Sequence, residues 1–466
     1  MISTGIGPLD WFALMQRELF LFAACFFLLG ALDEIAIDIT WIWLRLTGRA
    51  RTPVVDDAAL APRPLSHRCA VLIPAWREYP VIAATIAHAL RVWPQEALRI
   101  YVGCYRNDMA TVAAAMGGAA ADPRVRIVIH DAGGPTCKAD CLNRLYRALR
   151  DDEAREGVSA RMVLLHDAED MVDPSALALL DMAMERADFV QLPVIALPQA
   201  GSRWVSGHYS DEFAESHAKA MVVRSALGQG IPGAGVGCAI AREWLERLDA
   251  RRGGAGPFAT GALTEDYELG LQAAALGART HFLRVRTASG RLIATRAYFP
   301  HTIGAAIRQK SRWIHGIALQ GWDRLGWHGS PVALWMQLRD RRGPFAALLL
   351  AVAYVMVVAT GLEMALAGLD WIERDPLPPG LVWLLWLNAA ALAWRLAIRA
   401  LFTAREFGMT QGLLAIPRVA ISNAVSIIAA RRALFAYVRS LRGAPAVWDK
   451  TEHSAHPASP AGGQAA

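Results

Sequence analysis

An α/β domain with a mostly parallel sheet, set between α-helical membrane segments, is the architecture this sequence predicts, and three observations predict it. The chain has 466 residues and is 54% hydrophobic, too long for one ordinary domain and too apolar for a wholly soluble protein. Long charge-free runs gather towards its two ends, as the apolar interior of a bilayer requires. Between residues 62 and 342, short β-branched runs alternate with Ala-rich helical stretches, the pattern of βαβ units.

The first apolar run, residues 19–32, reaches the length of a span when residues 11–16 extend it. A signal peptide is the rival reading, but no basic segment precedes the run and no small-residue cleavage site follows it, so an uncleaved span is expected. Asp33, Glu34 and Asp38 come next, and residues 41–51 read as an amphipathic helix leaving at the cytoplasmic surface, with Arg45, Arg49 and Arg51 setting the side. Near the other end, residues 345–361 and 381–394 bracket an acidic, Pro-rich segment, 370–379, and predict a hairpin with its turn outside. Basic residues flank that hairpin at Arg339, Arg341 and Arg342 and at Arg395, Arg399 and Arg405. The run 407–430 contains Pro417 and Arg418, which predicts a helix lying in the interface rather than a third span of this region. Residues 453–466, rich in Ala, Ser, Pro and Gly, predict a disordered tail.

The formal charge of +6 does not indicate nucleic acid, because the arginines lie beside apolar runs instead of forming a basic stripe. A cytoplasmic membrane face accounts for them. Only four of the 48 basic residues are lysines, namely Lys138, Lys219, Lys310 and Lys450. The six cysteines show neither metal-ligand spacing nor the density of a disulfide scaffold and are expected to be reduced.

Within the central domain the expected strands cover residues 69–75, 99–105, 124–130 and 162–166, and each is followed at once by polar or turn residues. Ligands of open α/β sheets bind at that edge. Acids after a strand often only cap the next helix, but here several converge on one rim. Asp167, Glu169 and Asp170 place three carboxylates within four residues, a density that like-charge repulsion disfavours without a cation. A hard divalent ion, Mg²⁺ or Mn²⁺, would supply one and could bridge a diphosphate. Thr264, Glu265 and Asp266 open a helical stretch, where acids also suit the first turn. Activating a hydroxyl as a nucleophile would need one carboxylate to accept its proton, and Asp266 is a suitable group. Gln309, Arg312 and Trp313 share a helix face at i, i+3 and i+4, offering an amide, a phosphate-binding fork and a flat apolar wall.

The succession Pro74-Ala75-Trp76-Arg77-Glu78, Asn107-Asp108, Asp167 to Asp170, Thr264-Glu265-Asp266 and Gln309 to Trp313 resembles the membrane-bound family 2 glycosyltransferases, over nearly the whole chain. Residues 134–143, 298–300 and 448–453 resemble the subgroup called bacteriophage adsorption protein B. The resemblance implies a GT-A fold, an inverting reaction and a metal-bound nucleotide sugar. It implies Asp266 as base beside Glu265, and the Asp167 cluster as the Mg²⁺ or Mn²⁺ and diphosphate site. Pro74, Ala75, Glu78, Asp108, Lys138, Gln309, Arg312 and Trp313 would complete the donor site, with Asp108 facing the uracil. The family pattern is Asp, any residue, Asp; here Glu169 and Asp170 compete for the second metal position. The subgroup often carries a further domain that senses a cyclic dinucleotide, and the end of this chain soon after 448–453 predicts that such control is absent.

The expected organisation is a transmembrane and interfacial helix over 1–60, a cytoplasmic GT-A domain over 61–342, a transmembrane hairpin with an interfacial helix over 343–440, and a motif with a tail over 441–466. The expected partners are a nucleotide-sugar donor, namely a UDP-sugar such as a UDP-N-acetylhexosamine, a glycan or lipid-linked acceptor, membrane lipids and an envelope export partner, at a bacterial inner membrane. Pocket shape around residues 191–194 and 231–238 is expected to select the donor. A single-sugar transferase acting on a lipid carrier and a non-catalytic receptor or assembly subunit are the alternatives.

Overall fold

The computed structural model describes residues 8–370, 376–443 and 455–458. Eleven strands occur among them: β1 (Val54–Val55), β2 (Cys69–Pro74), β3 (Leu98–Tyr105), β4 (Val125–His130), β5 (Met162–Leu165), β6 (Phe189–Gln191), β7 (Val194–Ala196), β8 (Cys238–Ala241), β9 (Thr280–Phe282), β10 (Arg286–Thr287) and β11 (Thr295–Ala297). Seven of them form one sheet in the order β4-β3-β2-β5-β8-β6-β9. All neighbours run parallel except β8, which is antiparallel to both β5 and β6. The four strands expected from β-branched runs are β2 to β5, with ends shifted by about one residue. The three-residue strands β6 and β9, too short to show periodicity, carry little signal of their own.

The strands are apolar on both faces because helices cover both. On one face Val71, Ile73, Ile100 and Val102 pack against Ile82, Ile86 and Val112, while on the other Leu72 and Tyr101 meet Leu142, Leu145 and Leu149. This burial on both sides is why a parallel sheet reads as continuous apolar runs. It leaves the C-terminal ends of β2, β3 and β5 on one open rim.

Among the described residues four helices are long and apolar enough to cross a membrane: Pro8–Leu46, Gly343–Ala367, Pro379–Phe407 and Met409–Leu441. Large apolar side chains point outward from them, Val358 being 70% exposed and Trp383 71%, a surface suited to lipid and unsuited to water.

Three expectations need correction. The amphipathic helix over 41–51 is no separate element, because the first helix runs unbroken to Leu46. Its acids do not end it: Asp33 and Glu34 pair with Arg339 and Arg342, Glu34 also with Arg395, and Asp38 with Lys219. Arginines that read as a topological signal are thus also ion-pair partners. The last helix likewise continues through Pro417. Arg418 is fully buried, donating to Asp211 Oδ1 at 3.0 Å and to the Arg203 carbonyl at 2.7 Å, so a charge that looked like an interruption is matched by the α/β domain. Finally, the tail expected to be disordered is ordered over 455–458, where His456 is buried. The motif at 448–453 and part of the turn between the hairpin helices lie outside the described residues.

Candidate active site

The rim above β2, β3 and β5 opens into a cleft. Its floor comes from the ends of the strands, where Pro74 closes β2 and Ala75 and Trp76 follow it, Tyr105 closes β3, and Asp167 and Glu169 follow β5. Asp167 is held by a compact turn. Its N–H donates to Asp170 Oδ2 at 2.9 Å, and the Asp170 N–H returns to the Asp167 carbonyl at 3.3 Å. Asp170 Oδ2 also lies 2.8 Å from His166 Nδ1, and the residue is 1% exposed. Burial raises its carboxyl above the ordinary range, against the lowering influence of His166. Asp170 is therefore a brace within the turn and does not line the cleft, whereas Glu169 does.

Lys138 opens the helix Lys138–Glu156, and its ammonium reaches across the cleft to Asp167 Oδ1 at 2.6 Å and Glu265 Oε1 at 3.8 Å. Burial alone would lower its pKa, but the charges of Asp167, Glu265 and Asp266 more than offset that and hold it protonated. Glu265 and Asp266 form the first turn of the helix Glu265–Ala275. Burial, followed by the neighbouring charge of Asp266, pushes Glu265 up to about 7. Burial also raises Asp266, against Lys138. The Asp266 carboxylate accepts from the Tyr267 N–H at 2.8 Å, and Gly235 lies against its other oxygen. Gly235 has φ +80°, and a Cβ there would stand 2.3 Å from Asp266 Oδ2, so only glycine allows this approach.

Gln309, Arg312 and Trp313 all reach the cleft from the helix Ile303–Trp313, which Thr302 caps through the Ala305 N–H. Trp313 is backed by an aromatic group, with Tyr209, Phe213 and Phe299 centroids 6.0, 6.3 and 6.4 Å away. Lys310, on another face, pairs with Glu212 and lies over Tyr209. A π-helical turn, Ile314–Gln320, follows directly. It sets Gly316 against Thr264, where a Cβ would be 2.5 Å from Thr264 Oγ1, and it brings Gln320 Oε1 within 3.0 Å of the Leu263 N–H. The acidic helix start and the Gln-Arg-Trp face are thereby locked together; π-turns recur at functional sites for this kind of repositioning.

Of the residues expected in the site, Pro74, Ala75, Glu78, Lys138, Asp167, Glu169, Glu265, Asp266, Gln309, Arg312 and Trp313 come together in the cleft. Asp108 and Asp170 do not. Asp108 accepts from the Arg77 N–H at 2.5 Å and caps the helix Met109–Ala119, so it shapes the turn after β2 from behind. Trp76, Tyr105, Cys141, Leu263 and Thr264 also line the cleft and were not singled out as site residues. Position at a strand end could have flagged Tyr105, whose ring meets Trp76 at 5.2 Å and stacks on His130 at 5.1 Å. All six cysteines are free, and burial pushes the Cys141 thiol up to about 12, which makes it a packing group.

Among the described residues no three His, Cys, Asp or Glu side chains converge as a ready-made metal cage. Asp167 and Glu169 offer hard oxygens beside a polar cleft. This donor set fits a Mg²⁺ or Mn²⁺ ion that takes one or two carboxylates and completes its shell with phosphate oxygens and water.

Comparison with known proteins bears on the family and the fold. Two curated proteins of Escherichia coli, the bacteriophage adsorption protein B of strain K12 and the bacteriophage N4 adsorption protein B of O157:H7, are each 32% identical over 451 residues, covering 91% of this chain. The chain spans 60% of their length. Among solved structures, a mannosyltransferase from Pyrobaculum calidifontis in complex with GDP-Man and Mn²⁺ shares the fold, with a TM-score of 0.50, 17% identity, and coverage of 90% of this chain and 99% of that one. The family described as "Glycosyltransferase like family 2" matches residues 67–316, from just before β2 to the π-helical turn. The chain belongs to that family, and its α/β domain has the GT-A fold.

Proposed function

We propose that the protein is an inverting glycosyltransferase that moves a hexosyl group from a nucleotide sugar to a glycan or lipid-linked acceptor at the bacterial inner membrane, with the α/β domain on the cytoplasmic side. One observation carries this reading: Asp266, Asp167, Lys138 and Arg312, drawn from four separate stretches, share a single cleft. Asp266 accepts the proton of the acceptor hydroxyl as that oxygen attacks the anomeric carbon. Lys138 and Arg312 hold phosphate oxygens, and Trp313 offers its ring to a sugar face. Trp76 and Tyr105 form the aromatic wall on the side of β2 and β3, suited to the nucleoside. A divalent ion on Asp167 and Glu169 supplies charge neutralisation for the departing nucleoside diphosphate.

The helix bearing Gln309, Arg312 and Trp313 packs directly on the apolar helix Met409–Leu441. This favours an acceptor presented from the membrane, and a single-sugar transfer to a lipid carrier is therefore the second reading. The match to adsorption proteins supports a surface glycan, with an export partner, as the destination. The deciding assay is release of nucleoside diphosphate by the purified full chain in detergent, with Mn²⁺ or Mg²⁺ and a panel of uridine and guanosine diphosphate sugars, UDP-N-acetylhexosamines included. Turnover with one donor establishes the enzyme, and product length separates polymer from single addition. Absence of both binding and turnover across the panel would favour a non-catalytic receptor or assembly subunit.

A further inference from the structure

The turn that presents Asp167 and Glu169 is held from outside through its carbonyl groups. The Ala168 carbonyl accepts from the Thr85 hydroxyl. The Met171 carbonyl accepts from the Arg296 N–H at 3.0 Å, that of Val172 from His88 Nε2 at 2.9 Å, and that of Asp173 from Trp93 Nε1 at 3.0 Å. These donors belong to the α/β domain. The Asp170 carbonyl is different, because its donor is His456 Nε2, at 3.1 Å and 286 residues further along the chain. The Ala458 N–H donates to His456 Nδ1 at 3.0 Å, which leaves the proton on Nε2 and fixes the tautomer. His456 is fully buried, and its ring centroid lies 6.3 Å from that of His88.

We propose that His456 is a positioning residue for the transferase site: the chain beyond the last helix returns to the α/β domain, and this imidazole pins the Asp170 carbonyl so that the turn aims Asp167 and Glu169 into the cleft. The inference rests on the reading of the cleft as a donor site. A buried carbonyl that loses its donor must find water or move. Either outcome loosens a turn whose carboxylates have to be set before the donor arrives. Asp266 stands on a different helix, so the loss falls on the metal and diphosphate site and leaves the base in place.

His456→Phe keeps a ring beside His88 without the N–H, while His456→Gln keeps an N–H close to the Nε2 position. In the full-length protein, H456F should raise the Kd for uridine or guanosine diphosphate with Mn²⁺ about tenfold. H456Q should recover most of that affinity. Hydrogen exchange of the amides of 167–171 should quicken in H456F and remain slow in H456Q. Native exchange and affinity in H456F overturn the proposal, as does equal loss in both variants, since packing rather than the hydrogen bond would then matter. If the native protein binds neither nucleotide, the donor-site reading falls, and the exchange of 167–171 still decides whether His456 holds the turn.

Discussion

Two clusters of carboxylates in this chain follow opposite rules. At the seam between the first helix and the rest of the protein, Asp33, Glu34, Asp38 and Glu215 meet Lys219, Arg339, Arg342 and Arg395. Acids and bases match there in number, and Trp335 and Trp394 add indole N–H donors to Asp33 and Asp38. Among the described residues that line the cleft, the acids are Glu78, Asp167, Glu169, Glu265 and Asp266 and the bases are Lys138 and Arg312. Because removing charge from water costs several kcal/mol per ion unless it is matched, the seam is complete as it stands. The cleft lining has more acids than bases, five against two, which suits a cation and a polar ligand. An acidic run in a sequence is thus ambiguous until its partners are known.

The largest effect that would sharpen this contrast is on turnover. Asp266→Asn should lower kcat by about 10²–10⁴-fold, the range for loss of a general base, while calorimetric affinity for the nucleoside diphosphate stays close to native. Substantial turnover in that variant would remove Asp266 from the role. The two aspartates of the turn should then separate. Asp167→Asn should weaken metal-dependent donor binding by at least about tenfold with little change in melting temperature. Asp170→Ala removes the partner of His166 and of the Asp167 N–H, and should cost about 2–4 kcal/mol of stability in denaturation. Unchanged donor affinity in Asp167→Asn would make the cluster a mere turn.

Lys219→Met tests the other cluster. Lys219 is 2% exposed and lies 2.5 Å from Asp38 Oδ1 and 2.7 Å from Glu215 Oε1. Stranding those carboxylates should cost about 3–5 kcal/mol, read as a lower melting temperature in detergent. Donor affinity of the folded fraction should not change, and a selective loss of affinity would mean that the seam belongs to the site.

Much of this was legible in the residues, and the failures have physical causes. Strands β2 to β5 and the rim position of Asp167 could be read because runs buried on both faces and acids at strand ends are local patterns. The Gln309, Arg312 and Trp313 face was legible for the same reason, since helical spacing is local. What could not be read were partners distant in sequence. Asp170 resembles a metal ligand until His166 and the Asp167 N–H claim its carboxylate. Pro417 and Arg418 resemble a break until Asp211 neutralises the guanidinium. His456 stands in a stretch whose composition predicts disorder, and only the buried Asp170 carbonyl gives it a place. Gly235, which admits the Asp266 carboxylate, was one glycine among 38.

The smallest expected effect bears on the excess charge itself. Glu265 is 6% exposed, and burial, aided by Asp266 and opposed by Lys138, moves it from an ordinary 4.5 to about 7. A folded-state pKa raised above the unfolded one favours the protonated native form. The stability this contributes is fully present below 4.5 and is lost as pH rises through about 7. Glu265→Gln keeps a neutral group of nearly the same shape at every pH. At pH 8 it should therefore be more stable than the native protein by about 1–3 kcal/mol, and near pH 4 the two should melt together. At the seam the corresponding removal of a charge leaves its partners exposed to the full penalty of burial and destabilises the protein. A Glu265→Gln variant that melted lower at pH 8 would mean that Lys138 already balances Glu265 in the cleft, and the two clusters would no longer differ in kind.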